Sequence, residues 1–227
     1  MSNEYLNADF TQRVVVDTTR LPWIASPQPG VERRMLDRIG GEVARATSLV
    51  RYAPHSVFSA HEHALGEEFL VLEGVFSDEI GDYPPGTYVR NPPGSCHAPS
   101  SAPGCIILVK LRQMQPDERE RVVVYTATGT WEAGEVSGHT RQVLYDAGVN
   151  GERVTLERLQ SGVSLKEVQS TAGEEIFVLE GELSDTQGAY AAGTWIRNPA
   201  GYRRALGSDR GCTFWAKRDH LRTVGAK

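Results

Sequence analysis

Hydrophobic positions along the chain form short runs rich in Val, Ile, Leu, Tyr and Thr, and Gly or Pro closes most of them after a few residues. Signals for helix starts and ends are scarce. Tandem turn residues such as Pro84-Pro85-Gly86 cannot continue a strand, so they predict turns between the runs. Short β-prone runs with frequent turns are typical of an all-β domain. Because many short antiparallel strands leave exposed edges, we predict closure into a barrel or jelly roll.

An internal repeat with a period of 107 residues is the strongest pattern in the sequence. The segment GEEFLVLEG at 66–74 recurs as GEEIFVLEG at 173–181, and GTYVRNPPG at 86–94 recurs as GTWIRNPAG at 193–201. Shorter matches at the same spacing pair Ser77-Asp78 with Ser184-Asp185 and Cys105 with Cys212. A period this long indicates a duplicated domain, since solenoid repeats are about 20–50 residues long.

The start of each repeat is offset by 108 residues instead. RVVV at 13–16 recurs at 121–124, and Trp23 recurs as Trp131. One residue has therefore been lost between these segments and the later motifs, and we place the loss near Gly40-Gly41. We predict two tandem domains, 11–113 and 120–221. The polar stretch RQMQPDERE at 112–120 has the composition of an exposed linker between them.

Candidate metal ligands occur together in the first repeat. His61 and His63 are two residues apart, so alternation along a strand directs both side chains to one face. Glu67 follows a short turn, and His97 arrives from a separate strand. Three imidazole nitrogens and one carboxylate oxygen suit Zn²⁺, Fe²⁺, Mn²⁺ or Ni²⁺. A lone HxH is more often a polar strand face, but four residues in this arrangement predict a metal site.

The second repeat serves as an internal control for that site. A shift of 107 residues moves the four positions to Val168, Ser170, Glu174 and Arg204, so only the carboxylate remains. Valine cannot bind a metal, serine is a poor ligand, and arginine carries a fixed positive charge. We therefore predict one divalent metal ion per chain, in the first domain. We also predict an ion pair between Arg204 and Glu174, because a buried carboxylate needs a partner.

The spacing of these residues resembles the two motifs of the cupin superfamily, G(X)5HXH(X)3–4E(X)6G and G(X)5PXG(X)2H(X)3N. In this chain six residues separate Glu67 from Gly74, and Pro92-x-Gly94 precedes His97 at the motif distance. Two positions depart from the pattern, with His55 in place of the first glycine and Ser101 in place of the final asparagine. Neither is a metal ligand. The resemblance implies two cupin barrels with His61, His63, Glu67 and His97 as the ligands of the first.

Within the cupins, EEFLVLEG followed by GTYVRNPPGSCH is similar to the C-terminal cupin of ChrR-type anti-sigma factors. The resemblance implies a zinc-binding regulatory or sensor protein. ChrR-type proteins hold the sigma factor with a separate N-terminal helical module that has its own His/Cys zinc site. Residues 1–12 are too short for this module, and no cysteine precedes Cys96. We therefore do not expect this chain to clamp a sigma factor in that way.

Two other functions remain open at the sequence level. Similar three-His or three-His/one-Glu cupins include metal-dependent dioxygenases that cleave diketones or flavonols, and in such an enzyme Glu67 would ligate the metal or act as a base. The metal could also be a purely structural staple. We expect a small-molecule ligand at the metal, and either a homodimer or an internal pseudo-dimer of the two barrels.

Composition narrows the partners further. The net charge of −5, with no run of Lys or Arg, argues against nucleic-acid binding. No stretch approaches the ~18 apolar residues that span a bilayer, and the polar N-terminus does not resemble a signal peptide, so we expect a cytoplasmic protein. Three cysteines without a CxxC pair predict no disulfide framework.

The remaining notable side chains have structural interpretations. Cys105 and Cys212 are expected to be small buried hydrophobes, and Cys96 to face away from the metal. For His55, a turn position after Pro54 and a role at the barrel mouth stay open. Four others are interpreted as packing, surface or structural residues: Trp23, Trp131, His139 and His220.

Overall fold

The computed structural model describes residues 4–41, 43–149 and 151–221, and almost all regular structure in them is β. The described part contains one 3-10 turn, Thr18–Arg20, and none of its helices is long and apolar enough to cross a bilayer. In chain order the strands are Tyr5–Leu6 (β1), Val14–Asp17 (β2), Ile24–Ala25 (β3), Val31–Ile39 (β4), Arg45–Tyr52 (β5), Ser56–Val57 (β6), His61–His63 (β7), Glu67–Gly74 (β8), Phe76–Ser77 (β9), Asp82–Tyr83 (β10), Thr87–Asn91 (β11), Ser95–His97 (β12), Ser100–Ser101 (β13), Cys105–Leu111 (β14), Val122–Tyr125 (β15), Glu132–Ala133 (β16), His139–Asp146 (β17), Arg153–Leu159 (β18), Val163–Ser164 (β19), Val168–Gln169 (β20), Glu174–Asp185 (β21), Gly188–Ala191 (β22), Thr194–Asn198 (β23), Arg203–Arg204 (β24), Gly207–Ser208 (β25) and Cys212–Arg218 (β26).

The chain forms two compact units, and the first is an antiparallel jelly roll. Its large sheet has the order β1-β4-β5-β14-β8-β11-β15, with β3 paired to β4. A small sheet has the order β10-β9-β13-β6, and β7 pairs with β12 alone. Alternate residues of β8, Phe69 and Val71, point into the same apolar core because side chains alternate along a strand. The other buried members of that core are Val50, Phe76, Tyr83, Val89, Cys105, Ile107 and Val109.

The second unit repeats this architecture with the order β16-β17-β18-β26-β21-β23-β2 in its large sheet. β20 and β24 form the pair equivalent to β7 and β12. Its core contains Ile176, Val178, Ile196, Phe214 and Ala216 among others. The jelly-roll prediction is therefore confirmed for both repeats.

The two repeats exchange their first strand. β2 lies at the start of the chain but pairs with β23 in the second unit, from Val14 opposite Arg197 to Asp17 opposite Thr194. β15 belongs to the second sequence repeat but pairs with β11 in the first unit. The first unit accordingly consists of the chain up to Ala8 and Pro22–Gly129, and the second of Asp9–Leu21 and the chain from Thr130. The compact units thus differ from the sequence repeats by one strand each.

The residue lost from the second repeat lies at the tip of one hairpin. β4 and β5 pair from Val31 opposite Tyr52, and β17 and β18 pair from His139 opposite Leu159. Both hairpins carry a register shift at the equivalent place, after Met35 and after Val143. Because the offset is 108 before the tip and 107 after it, the deletion falls where it was predicted, around Gly40-Gly41.

The stretch 112–120 is packed onto the first unit, so the prediction of an exposed linker is wrong for part of it. Met114 is buried, and a Cβ atom at Gly66 would clash with its side chain. The Glu118 carboxylate lies 2.6 Å from Nη2 of the buried Arg90. The polar composition of the stretch did not indicate these two contacts, because each is made by a single residue, Met114 or Glu118.

The last glycine of the first motif is required by a close backbone crossing. Gly74 has a φ of +68°, and a Cβ atom there would lie 1.9 Å from the carbonyl oxygen of Gly104. The equivalent Gly181 has a φ of +72° and would place Cβ 2.0 Å from the carbonyl oxygen of Gly211. No side chain fits at either position unless the backbone moves.

We predict that Gly74→Ala lowers the free energy of unfolding by about 3 kcal/mol or more. The left-handed backbone accounts for ~1–2 kcal/mol and the displaced strand for ~1–3 kcal/mol. Gly94→Ala is the matched control, because Gly94 has a φ of +80° but nothing lies within 4 Å of its Cβ position. Urea unfolding of the metal-free proteins measures both. Equal losses would show that the backbone crossing is unimportant.

Candidate metal centre

The three histidines of the predicted site meet because two short strands pair in one register. β7 and β12 place His61 opposite His97 and His63 opposite Ser95, with Glu62 opposite Cys96 between them. Alternation puts the three histidines on one face and sends Cys96 to the exposed face, as predicted. His63 and His97 are buried, whereas His61 is exposed at the rim.

The side chains converge closely enough to share one ion. One ring nitrogen from each histidine lies within 4.8 Å of the others, and the ring centroids are 4.6–5.2 Å apart. A Glu67 carboxylate oxygen lies 3.6 Å from Nε2 of His63 and 3.5 Å from Nε2 of His97. Glu67 is thus adjacent to the histidine cluster, and its place as the fourth ligand stays a prediction.

The hydrogen bonds leave the inward-facing nitrogens available. Nδ1 of His61 lies 3.2 Å from the Ser59 carbonyl oxygen. Since a carbonyl can only accept, we assign the ring proton of His61 to Nδ1, which leaves a lone pair on Nε2. Nδ1 of His63 lies 3.2 Å from Oγ of Ser95. Within the described chain, the buried Nε2 atoms of His63 and His97 have no hydrogen-bond partner.

Burial controls the protonation of this cluster. Desolvation, together with the charge of His61, lowers the pKa of His63 to about 4. Desolvation also lowers the pKa of His97. His63 and His97 are therefore neutral at neutral pH, which is the form that binds metals. Burial raises the pKa of Glu67, although the histidines and the Asn91 amide oppose the shift.

These observations fit a divalent metal ion. Among the described residues, the buried imidazole Nε2 atoms have no hydrogen-bond partners and the buried Glu67 carboxylate has no Lys or Arg beside it. A dication would satisfy both groups. His61, His63 and His97 would hold the ion, with Glu67 beside them. Three nitrogens and one oxygen suit zinc, iron, manganese or nickel, and such an ion supplies Lewis acidity or, for iron, redox chemistry.

In the second unit a guanidinium stands beside the equivalent carboxylate. Arg204 donates from Nε and Nη2 to the two Glu174 oxygens at 2.5 and 2.8 Å, which confirms the predicted ion pair. Arg218 lies 3.3 Å from Glu174, and the Asn198 amide donates to it at 2.9 Å. Burial alone would raise the pKa of Glu174, but these partners outweigh it and the pKa lies below its usual range.

The remaining candidates lie outside the cluster. His55 is exposed in a left-handed turn with a φ of 60°, which matches the turn interpretation. His139 and His220 are structural, since each lies about 3 Å from a buried glutamate, Glu157 or Glu175. Cys105 and Cys212 are buried as predicted, and desolvation raises the pKa of each thiol to about 11.

Sequence reasoning missed Tyr52 and the cavity that it lines. The cavity, of about 520 Å³, borders His61 and is also lined by Phe58, Ser59 and Pro99. Burial, and then the charge of Glu67, raises the pKa of the Tyr52 phenol. Strand pairing aligns Tyr52 opposite Cys105 and Leu159 opposite Cys212. Comparison of the repeats at an offset of 107 would have revealed this tyrosine-to-leucine difference.

We predict that Arg204→Ala lowers the free energy of unfolding by about 3 kcal/mol, because it leaves the Glu174 carboxylate buried with a weaker partner. Arg203→Ala is the matched control, since the neighbouring Arg203 pairs with Glu167 at the surface and should cost under about 1 kcal/mol. Chemical denaturation measures both variants. A loss for Arg204→Ala as small as that for the control would contradict this role.

Comparison with solved structures places the fold among known cupins. A "putative dioxygenase" from Nostoc punctiforme has a TM-score of 0.77 at 16% identity, covering 95% of this chain and 85% of that one. A "putative glyoxylate induced protein" from Pseudomonas aeruginosa has a TM-score of 0.76 at 14% identity, covering 100% and 94%. An oxalate decarboxylase from Lactobacillus farciminis has a TM-score of 0.64 at 11% identity, covering 91% and 86%. At these identities the likeness shows the fold alone.

Comparison with curated proteins gives no match. The family model of the ChrR cupin-like domain, however, matches the sequence twice, over residues 11–115 and 119–222. These two matches account for most of the chain and include both the histidine cluster and its arginine-filled counterpart. The protein belongs to the family of ChrR cupin-like domains and carries two of them in tandem.

Proposed function

We propose that the protein binds one divalent metal ion in its first unit and uses that ion to bind a small organic molecule. The observation that carries this proposal is the convergence of three imidazoles beside a buried carboxylate that, among the described residues, has no arginine next to it. The second unit supports the count of one ion, because Arg204 and Arg218 already surround Glu174. No metal is needed to neutralise that carboxylate.

The cavity beside His61 supports a ligand-binding role over a purely structural metal. His61 is the exposed member of the cluster, and it forms part of the cavity wall. The aromatic rings of Tyr52 and Phe58 pack edge to face at 5.1 Å in the same wall. An apolar wall next to a metal ligand suits a molecule with a polar head at the metal and an apolar body.

The ChrR resemblance favours zinc and a regulatory or sensor role, in which the bound molecule or its oxidation would be the signal. The second candidate is a metal-dependent dioxygenase that cleaves diketones or flavonols. It is favoured by the cavity and by the Tyr52 phenol near Glu67, which together offer space and polar groups for a substrate. In that case Glu67 would ligate the metal or act as a base.

We expect protein purified without added metal to contain one metal ion per chain by elemental analysis. His61→Ala, His63→Ala and His97→Ala should each abolish binding, and Glu67→Gln should weaken it. His55→Ala is the control, because His55 is an exposed histidine of the same unit outside the cluster. Two ions per chain, or full occupancy in the three histidine variants, would contradict the proposal.

The identity of the metal separates the two candidate functions. Stoichiometric zinc with no oxygen uptake supports the sensor. Iron, together with oxygen consumption in the presence of a β-diketone or a flavonol, supports the dioxygenase. In the enzyme we expect Glu67→Gln to reduce turnover by more than it reduces metal affinity. An oxygen electrode and a metal titration on the same preparations provide both values.

A further inference from the structure

Asp78 is a buried carboxylate that the proposed function does not use. Its side chain is 1% exposed. Oδ1 accepts from the backbone N–H of Ile80 at 2.8 Å and of Gly81 at 3.2 Å, and from the hydroxyl of Tyr83 at 2.8 Å. Three donors on one oxygen fix the orientation of the carboxylate and determine where its second oxygen points.

That second oxygen faces the metal cluster. Oδ2 of Asp78 lies 3.5 Å from Nδ1 of His97 and 3.5 Å from Nη2 of Arg121. Nδ1 of His97 is buried and no described residue meets hydrogen-bond geometry with it, so the 3.5 Å approach of Asp78 is an electrostatic contact at the limit of hydrogen-bond distance. Because the group that faces Nδ1 is a carboxylate oxygen, which acts as an acceptor, the arrangement favours the proton of a neutral His97 on Nδ1 and the lone pair on Nε2.

The second unit shows what the same carboxylate does without the histidine. Oδ1 of Asp185 accepts from the backbone N–H of Gln187 at 2.8 Å and the hydroxyl of Tyr190 at 2.6 Å. Its Oδ2 is taken by Arg13 at 2.8 Å. Arg13 is the repeat counterpart of Arg121, and each arginine donates from Nε to the equivalent asparagine of its unit. The two aspartates therefore have equivalent neighbours, but the arginine lies 3.5 Å from the aspartate in the first unit and 2.8 Å from it in the second.

We propose that Asp78 is the positioning residue of the metal centre. Its Oδ2 accepts the Nδ1 proton of His97 and so presents Nε2 to the metal, as carboxylates that accept from metal-binding histidines do in other proteins. This inference rests on the proposed function, because it requires His97 to be a ligand. It also gives the repeated Ser77-Asp78 motif a role that differs between the two repeats.

Asp78→Asn tests this role directly. The asparagine oxygen must stay on the three donors that Oδ1 accepts, so its NH₂ group points at His97 and disfavours a proton on Nδ1. We expect Zn²⁺ affinity, measured against a chromogenic chelator, to fall at least tenfold. We also expect a changed visible spectrum for the Co²⁺ form. Asp78→Ala should be less stable than Asp78→Asn, yet it should bind Zn²⁺ at least as tightly as Asp78→Asn does. If Asp78 had only a structural role, the less stable Asp78→Ala would bind Zn²⁺ more weakly.

Asp185→Asn is the matched control and should bind Zn²⁺ like the wild type. A loss below tenfold in Asp78→Asn, or an equal loss in Asp185→Asn, would overturn the inference. Should Asp78→Asn not fold, ¹⁵N NMR of the zinc-loaded wild type decides, since a metal on Nδ1 of His97 overturns it and a proton there supports it. If His97→Ala keeps Zn²⁺, the metal-site proposal itself fails. If His97→Ala loses Zn²⁺ but Asp78→Asn keeps it, the metal-site proposal stands and only the proposed role of Asp78 fails.

Discussion

A buried carboxylate at the same position of both barrels is the constraint on which the site depends. Glu67 and Glu174 each begin a central strand, each accepts from an asparagine amide, and both are buried. Such a group needs a positive partner in a medium of low dielectric constant. In the second barrel two arginines provide it and the pKa of Glu174 falls, whereas in the first barrel burial raises the pKa of Glu67. A metal ion and a guanidinium are alternative solutions to one electrostatic problem.

The exchanged strands connect this problem to the topology. Arg121 on the segment before β15 donates to Asn91, the residue that holds Glu67, and Arg13 does the same for Asn198 and Glu174. Each site is therefore supported by a strand from the other sequence repeat. A fragment that ended at residue 113 would contain every metal ligand of the first barrel but would lack β15 and the arginine that orders the surroundings of Glu67.

The sequence could predict features that recur at a fixed spacing or that follow strand alternation. The jelly roll, the one-residue deletion, the histidine cluster and the Arg204–Glu174 pair all belong to that group. It could not predict the strand exchange, because RVVV fits β11 and β23 equally well and only the tertiary structure selects a partner. Tyr52 and Asp78 were also missed as site residues, since neither belongs to the spacing pattern of the ligands and only the folded chain brings each of them close to the cluster.

Loss of metal binding in the second barrel involves more than its three missing ligands. Arg218 and Glu157 occupy positions where the first barrel has Leu111 and Val50, as the equivalent strand pairings show. Arg218 pairs with both Glu157 and Glu174, and Glu157 also contacts His139 at 3.1 Å. Arg218 is a second arginine beside Glu174, and Glu157 balances its charge. The two arginines and two glutamates thus neutralise one another as a group of four. Because Arg218 lies 3.3 Å from Glu174, histidines at 168, 170 and 204 alone would place a metal ion close to the positive charge of the Arg218 guanidinium. The two barrels therefore represent two complete electrostatic arrangements, and conversion of one into the other requires coordinated changes on four strands, β18, β20, β24 and β26.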